Sequence, residues 1–289
     1  TGAENTAIGY ASLYANTTGA NNVAVGKNAL LANTTAANNV ALGMDTLSAN
    51  TTGTRNLAIM KNALNSSDTE DDNIAIGYDS MTTNTAGGTG NVALGNYTLD
   101  ALTSGDYNVA MGHTALGANS TGGSNVAIGY ESLLTNTTAS NNTGVGFQSL
   151  KLNSTGDSNV AVGWRSLQAN TTGYYNNAIG RDALYTNTEG AHNVSLGSDT
   201  LKLNTTGNSN VAVGGYSLEA NTTASNNIAV GYTALRANTT GTRNIAIGVN
   251  AYNSSDTEND NIAIGFDAMT TNTAGGSENI AIGNYAMDA

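Results

Sequence analysis

Hydrophobic and polar positions alternate in short stretches that recur about every 17 residues along the whole chain. Residues 125–129, for example, read N-V-A-I-G, with aliphatic residues in the second and fourth places. Alternation rich in β-branched residues is typical of a β-strand. Most strands are followed seven residues later by N-T-T-G or a close variant, which is turn chemistry. The pattern therefore predicts one short strand and one turn in each repeat.

Each repeat, or coil, is numbered here from an asparagine, which occupies coil position 1 in all seventeen coils. The spacing is 17 residues, except after Asn73 and Asn261, where it is 18. We expect these side chains to form a ladder in which each amide bonds to the next coil. They are Asn5, Asn22, Asn39, Asn56, Asn73, Asn91, Asn108, Asn125, Asn142, Asn159, Asn176, Asn193, Asn210, Asn227, Asn244, Asn261 and Asn279.

A fixed short period indicates stacked units rather than one central core. Stacking places each strand beside its equivalent in the next coil, so the predicted fold is a β-solenoid, a parallel β-roll or β-helix, with in-register strands. Positions 6–11 leave two alternatives. The residue type varies little between coils at positions 8, 9 and 12, and these positions have the spacing of one face of a helix. This favours a short helical or 3₁₀ turn. The same segment also fits a second strand buried on both faces.

The expected core consists of the aliphatic residues at positions 2 and 4 and the leucine at position 9. The other face of the strand carries Asn, Ala and Gly, and it varies little between coils. A solvated strand face normally carries varied polar residues. We therefore expect the Ala and Gly face to pack against another chain, in a homotrimer or a laterally packed filament. A lone solenoid with a shielding Ala and Gly face is the alternative.

A longer period overlies the coils, because residues 54–101 match residues 242–289 without a gap, at an offset of 188. We interpret residues 1–289 as a single continuous repeat array. Solenoids usually carry distinct capping repeats, and neither end of this chain differs from the middle. We therefore expect the chain to be a segment of a longer protein.

Composition narrows the classes of function. The chain has no Cys and no Pro, nine Lys plus Arg, and a formal net charge of −12. The absence of Cys excludes disulfides and thiolate zinc sites, and the acidic charge argues against nucleic-acid binding. No apolar run approaches the roughly 18 residues that would span a bilayer, so no membrane insertion is expected.

Two turns are rich in acidic residues, whose oxygens at close spacing are candidate Ca²⁺ ligands. No calcium-loop motif matches them, so a solvated acidic turn is the alternative, and no cofactor is predicted. These weak metal candidates are Asp68, Glu70, Asp71, Asp72, Asp256, Glu258 and Asp260.

Position 6 is aromatic in seven coils, which makes a candidate ridge for stacking on sugar rings of a glycan. Such residues also commonly cover apolar surface or fill an interface. They are Tyr10, Tyr78, Tyr130, Phe147, Trp164, Tyr232 and Phe266. No nucleophile–base pair recurs and no phosphate-binding loop is present, so no catalytic residues and no enzyme activity are expected.

The motif N-V-A-I-G-x-x-[AS] resembles the head repeats of trimeric autotransporter adhesins. The whole coil, as in residues 5–19, is similar to repeats of phage and bacterial tail-fibre-like proteins. The resemblance covers the entire chain, and the adhesin family implies a trimeric left-handed β-roll on a cell surface. The adhesin repeats are shorter and lack the leucine at position 9.

These observations predict the structural shaft of an extracellular fibre, a phage tail fibre or a bacterial adhesin stalk, on a cell surface or virion. One alternative is a self-assembling extracellular filament or sheath subunit. A second is a glycan- or surface-binding module that uses the aromatic ridge. The expected partner is the chain itself, and a glycan or receptor is expected to bind through regions outside this segment.

Overall fold

The computed structural model describes residues 2–85, 87–254, 256–270 and 276–288. They form two compact units, Thr1–Asn142 (unit 1) and Thr143–Ala289 (unit 2). Unit 1 contains β1 (Thr6–Ile8), β2 (Val23–Val25), β3 (Val40–Leu42), β4 (Leu57–Ile59), β5 (Ile74–Ile76), β6 (Val92–Leu94), β7 (Val109–Met111) and β8 (Val126–Ile128). Unit 2 contains β9 (Thr143–Val145), β10 (Val160–Val162), β11 (Asn177–Ile179), β12 (Val194–Leu196), β13 (Val211–Val213), β14 (Ile228–Val230), β15 (Ile245–Ile247), β16 (Ile262–Ile264) and β17 (Ile280–Ile282).

Within each unit, every strand pairs in parallel and in register with the next strand along the chain. Ala24 lies beside Ala41, for example, and Ala212 beside Ala229. Each unit is therefore a parallel β-solenoid with a repeat of about 17 residues, which confirms the predicted fold class.

The 18-residue coil of unit 1 keeps the strand register by lengthening a turn. The amide of Asn84 donates to the carbonyl of Gly88, four residues on, whereas the equivalent bond from Asn50 reaches Gly53, three residues on. The additional residue therefore lies in the turn, and Ile74 still pairs with Val92. A change in turn length is tolerated because it leaves the strand ladder intact.

The expected orientation of the strands was wrong. The middle residue of every strand from β2 to β17 is buried, and it is alanine except for Gly144 in β9 and Ser195 in β12. The residues on either side of it are half-buried or exposed. Position 9 does lie in the core, where Leu47 and Leu218 are fully buried. The Ala and Gly face therefore faces the interior and does not contact another chain, and the aliphatic columns face outward.

The interior is narrow, which explains why the strand presents alanine to it. Side chains from position 8 reach the strand directly, since the Ser166 hydroxyl donates to the carbonyl of Ala178 at 2.9 Å. A long side chain at position 9 can contact the asparagine at position 1 of the next coil, since the hydroxyl of Tyr252 accepts from the amide of Asn261 at 2.8 Å. At this separation two large side chains facing each other would overpack the core.

Positions 6–11 form neither the helical turn nor the second strand that the sequence left open, because no helix is present in the described part of the chain. Positions 7 and 9 have left-handed backbone, as at Asn28 (φ 59°) and Leu30 (φ 51°). The N–H of Asn28 donates to Tyr10 of the preceding coil, and the N–H of Leu30 to Thr46 of the following coil. These bonds between coils offset the roughly 1–2 kcal/mol that each left-handed residue costs.

The glycine at position 5 is required by both conformation and space. Gly26 has φ 133°, and a Cβ there would lie 2.4 Å from the carbonyl oxygen of Gly43 in the next coil. Met60 is the one exception among the coils, and its φ of 84° differs from that of the glycines. The close approach of successive coils therefore excludes most side chains from this position.

Candidate functional site

The most extensive surface feature of each unit is the outward face of its sheet, called here the aliphatic face, made of the side chains at positions 2 and 4. Ile179 is 46% exposed and Ile247 is 40% exposed. The face carries no charged residue, and its polar members are Thr6, Thr143 and Asn177. An uncharged face is notable on a chain with a net charge of −12, because a solvated strand face normally carries charge.

Charged side chains lie away from the aliphatic face and often bond between successive coils. Arg165 pairs with Asp182 at 2.9 Å, and Arg236 pairs with Glu219 at 2.7 Å. Arg165 also lies over the ring of Trp164, 3.7 Å from its centroid. Like the backbone ladder, the two ion pairs join each coil to its neighbour.

The asparagines at position 1 form a continuous buried ladder within each unit. The Oδ1 atom of Asn22 accepts from the backbone N–H of Asn39 at 3.0 Å, and the amide of Asn39 donates to the carbonyl of Gly53 at 2.8 Å. Both polar ends of the side chain are thereby satisfied in the core. The amide-to-carbonyl bond recurs at Asn5, Asn22, Asn125, Asn159, Asn210, Asn244 and Asn261.

A second ladder, which the sequence interpretation did not include, runs through the asparagines at position 12. Asn204 is fully buried; its amide donates to Oδ1 of Asn187 at 2.8 Å and to the carbonyl of Gly207 at 3.1 Å. Its own Oδ1 accepts from the amide of Asn221 at 2.8 Å. The near-constant Asn at position 12 was the signal, but turn chemistry explained it equally well.

The second ladder is interrupted where position 12 is not asparagine, and each interruption leaves an acceptor without a partner. The unpartnered buried atoms are the Oδ1 atoms of Asn50, Asn84 and Asn238. The residues that follow them at position 12 are Ser67, Leu102 and Ser255, the last of which lies outside the described residues. An orphaned buried acceptor costs about 1–3 kcal/mol, so these coils are weak points of their units.

The acidic turn of unit 1 is engaged with the chain itself. Glu70 is 2% exposed, and its Oε2 accepts from the hydroxyl of Ser67 and the N–H groups of Asp68 and Thr69, at 2.7–3.0 Å. The other three carboxylates bond to the preceding coil: Asp68 to Thr51, Asp71 to Thr54 and Asp72 to Arg55.

The acidic turn of unit 2 repeats much of this arrangement. Glu258 accepts from the backbone N–H groups of Asp256 and Thr257, at 2.9 and 3.1 Å. Asp260 pairs with Arg243 at 2.6 Å. Across the described residues, no three or more His, Cys, Asp or Glu side chains are placed to hold a metal ion.

The predicted aromatic ridge is divided into local clusters. In unit 1, Tyr97 and His113 join Tyr78 and Tyr130 in a run of rings with centroids 5.6–5.7 Å apart. Tyr10 is 78% exposed. Tyr97 sits at position 7, one place beyond the ridge, which is why position 6 alone did not reveal it.

Unit 2 carries further aromatic pairs and one groove. Phe147 stacks on Trp164, Tyr232 contacts Tyr216, and Phe266 contacts Tyr285, with centroids 5.5–6.3 Å apart. A surface groove of about 490 Å³ is lined by Leu203, Glu219, Ala220, Arg236, Ala237 and Asn253. Because the Arg236 guanidinium already pairs with Glu219, the groove presents no free cation.

Several carboxylates have shifted pKa values with clear causes. The hydrogen bond from Arg55 lowers the pKa of Asp72, and the bond from Arg243 lowers that of Asp260 in the same way. Burial opposes a low pKa at Asp199, but hydrogen bonds from Lys202, Ser198 and Arg181 lower it overall. Burial raises the pKa of Asp100.

In the part of the chain that the structure describes, no helix has the length and apolar character needed to cross a membrane. No protein-family model matches the chain, and no curated protein matches it.

Proposed function

We propose that the chain is the structural shaft of an extracellular fibre, on a bacterial cell surface or a virion, with no catalytic or cofactor-binding role. The bonding between coils carries this proposal. Within each unit, strands, left-handed segments and asparagine ladders all bond one coil to the next, so no coil depends on its own contacts alone. Repeat proteins of this kind act as spacers because their stability is distributed along the stack.

Self-association through the aliphatic face is the second part of the proposal. A three-residue strand spans about 10 Å and coils repeat every 4.8 Å, so the nine strands of unit 2 present about 430 Å² of apolar projection. A patch of this size matches the largest on a typical monomer and is often functional. Two copies would cover about 860 Å² of projected area, which is below the roughly 1,200 Å² of a standard interface and within the range of weak, transient ones.

The partner that fits this face is a second copy of the chain. Side chains on the face repeat once per coil, and another copy offers the same spacing over its whole length. The face is also uncharged, so copies that meet there keep their net charge of −12 away from the contact. A homotrimer and a laterally associated filament both satisfy these conditions.

The test compares the mass of the native chain with that of Ile228→Asp in solution. Ile228 is 37% exposed on the aliphatic face, so the substitution should leave the fold intact and release monomers. Thr223→Asp, at an exposed turn position, is the matched control and should associate like the native chain. A native chain that sediments as a 29.2 kDa monomer would refute self-association.

The same measurement separates a shaft from a filament or sheath subunit. A shaft forms an oligomer of fixed size, whereas a filament subunit grows with protein concentration and forms long assemblies visible by electron microscopy. An assembly whose size keeps growing with protein concentration would refute the shaft proposal and support the filament alternative.

Glycan contact is a further candidate activity, favoured by the run of rings at Tyr78, Tyr97, His113 and Tyr130 in unit 1. Aromatic faces stack on sugar rings, and Tyr97 is 38% exposed. Tyr97→Ala should weaken retention on an immobilised neutral polysaccharide, whereas Tyr14→Ala, an exposed tyrosine for which the structure gives no ring partner, should not. Equal retention of both variants and the native chain would exclude this candidate.

A further inference from the structure

The turn side of unit 2 carries a cluster of aromatic residues where the adjoining coils carry small polar ones. Tyr174 and Tyr175 occupy positions 16 and 17 of one coil, and His192 occupies position 17 of the next. Tyr174 is 45% exposed and Tyr175 is 55% exposed, so the cluster is not part of the core. The residues at these two positions in the coils on either side are Asp157, Ser158, Asn208 and Ser209.

The backbone at position 17 is poorly suited to a tyrosine. Tyr175 has a left-handed φ of 54°, close to the values of 59° at Ser158 and 64° at Asn226, which occupy the same position in other coils of unit 2. Asparagine adopts this conformation more readily than large side chains do. Tyr175 bears the strain while more than half of its surface stays in water, so burial does not compensate for it. Strain of this kind is concentrated at functional sites.

The three rings hold one another in place. Tyr175 stacks on His192 with ring centroids 5.3 Å apart, and Tyr174 meets these two rings nearly at right angles, with centroids 5.5 and 5.3 Å away. Because the coils stack in register, the residue beside Tyr175 on the side away from His192 is Ser158. The short serine side chain leaves that face of the Tyr175 ring open. An ordered ring with an open face loses little conformational entropy when a ligand binds to it.

We propose that this cluster of Tyr174, Tyr175 and His192, called here the tyrosine platform, binds a sugar ring of an uncharged polysaccharide. A pyranose with equatorial hydroxyls has a flat face of C–H groups and a polar rim. The C–H face stacks on the open face of Tyr175, and the hydroxyls of the rim bond to the hydroxyl of Ser158 and the carboxylate of Asp157. Apolar contact combined with a few polar groups is typical of small-ligand sites.

The surroundings of the platform favour a sugar over other ligands. A lipid or an apolar peptide needs a wider apolar area, whereas the coils on both sides offer hydroxyl, amide and carboxylate groups. A quaternary ammonium group on the face of Tyr175 is the main competitor, because aromatic faces attract cations and the chain has a net charge of −12. Competition between free ligands distinguishes the two.

Affinity electrophoresis in native gels tests the platform, with hydroxyethylcellulose, an uncharged β-glucan, as the probe. Every chain in the test carries Tyr97→Ala, so that the run of rings in unit 1 does not contribute. The Tyr97→Ala chain should migrate more slowly when the gel contains the polymer, and addition of Tyr175→Asn should abolish this retardation. Free cellobiose should also abolish it, whereas choline chloride should not.

Tyr107→Asn in the same background is the matched control. Tyr107 also occupies position 17 of its coil, with φ 57° and 66% exposure, and the described part of the chain gives it no ring partner. Its substitution should leave the retardation unchanged. Because asparagine occurs naturally at this position in other coils, the Tyr175→Asn and Tyr107→Asn variants should have the same urea midpoint.

Three results of the electrophoresis would overturn the proposal: no retardation of the Tyr97→Ala chain, equal retardation after Tyr175→Asn, or release by choline chloride. A much lower urea midpoint for Tyr175→Asn than for Tyr107→Asn would also overturn it, because the ring would then serve the fold. The platform does not depend on the shaft or on self-association, which sedimentation and electron microscopy test separately.

Discussion

The substitution Asn204→Asp tests the buried ladder at position 12 with almost no change in side-chain volume. Asn204 is fully buried, and its amide donates to Oδ1 of Asn187 and to the carbonyl of Gly207. A carboxylate has no proton to donate. Both acceptors lose their donor and instead face a negatively charged oxygen.

The expected loss follows from these two bonds. Each buried acceptor left without a donor costs about 1–3 kcal/mol, so the substitution should lower the free energy of unfolding by at least about 2–6 kcal/mol. Burial of the charge adds to this loss. Because the coils are coupled, we expect the effect as a lower urea midpoint for unit 2 and faster hydrogen exchange in the coils around residue 204.

The loss should depend on pH in a defined direction. Burial beside acceptors raises the folded-state pKa of the introduced carboxyl above its unfolded value near 3.9. The protonated form donates one hydrogen bond, so the variant is least destabilised below pH 4 and loses stability as the pH rises through the folded pKa. Stability measured from pH 3.5 to 7 should therefore diverge steadily from that of the native chain.

Asn226→Asp is the matched control, since Asn226 is exposed and its side chain makes no hydrogen bond in the described part of the chain. It should change stability by less than about 0.5 kcal/mol. If Asn204→Asp behaved like this control at pH 7, or showed the same pH dependence, the ladder would not carry the stabilisation assigned to it.

Three further predictions test the core, the coil contact and an ion pair. Ala212→Leu, at a fully buried position, should lower the free energy of unfolding by about 1–3 kcal/mol or more through overpacking, whereas Val211→Leu on the outward face should change it little. Urea denaturation compares the two variants, and a larger loss in Val211→Leu than in Ala212→Leu would contradict the inward orientation of the alanine. Gly163 has φ 134°, and a Cβ there would lie 2.5 Å from a carbonyl oxygen of the next coil. Gly163→Ala should therefore lower the free energy of unfolding by about 1–3 kcal/mol through backbone strain alone. An unchanged melting temperature would argue against such a close contact. Arg55→Gln should raise the pKa of Asp72 towards its usual value, because the Arg55 hydrogen bond lowers it. In the native chain this pair stabilises the fold at pH values above the unfolded pKa of Asp72, and the stabilisation is lost as the pH falls through the folded pKa of Asp72. An NMR titration that gives Asp72 the same pKa in the variant and in the native chain would rule out the pair.

Internal comparison of the coils revealed the period, the strand, the turn and the parallel register, because those features depend on local chemistry. Strand alternation at positions 1–5 and the N-T-T-G turn can be recognised within one coil. In-register stacking then follows from the constant spacing, and Ala24 does lie beside Ala41. The asparagine at position 1 was expected to bond between coils for the same reason, since the residue never varies.

The sequence could not decide which strand face is inside, because neither face carries charge. One face offers large aliphatic residues and the other offers alanine, and the usual rule places the larger ones in the core. Only the width of the coil reverses that rule: Leu47 from the opposite wall fills the interior, and alanine is what fits against it. The candidate interaction surface depends on this choice, so the sequence alone located it on the wrong face.

Local propensity also failed at positions 6–11, for a related reason. Leucine in a left-handed conformation, as at Leu30, is unfavourable in an isolated chain. Stacked coils offer backbone partners along the axis that an isolated segment lacks, and a helix would use the same N–H and C=O groups within itself. The sequence thus determined that coils would stack and in what register, whereas the tertiary structure decided which side chains the narrow interior admits and which face is left outside.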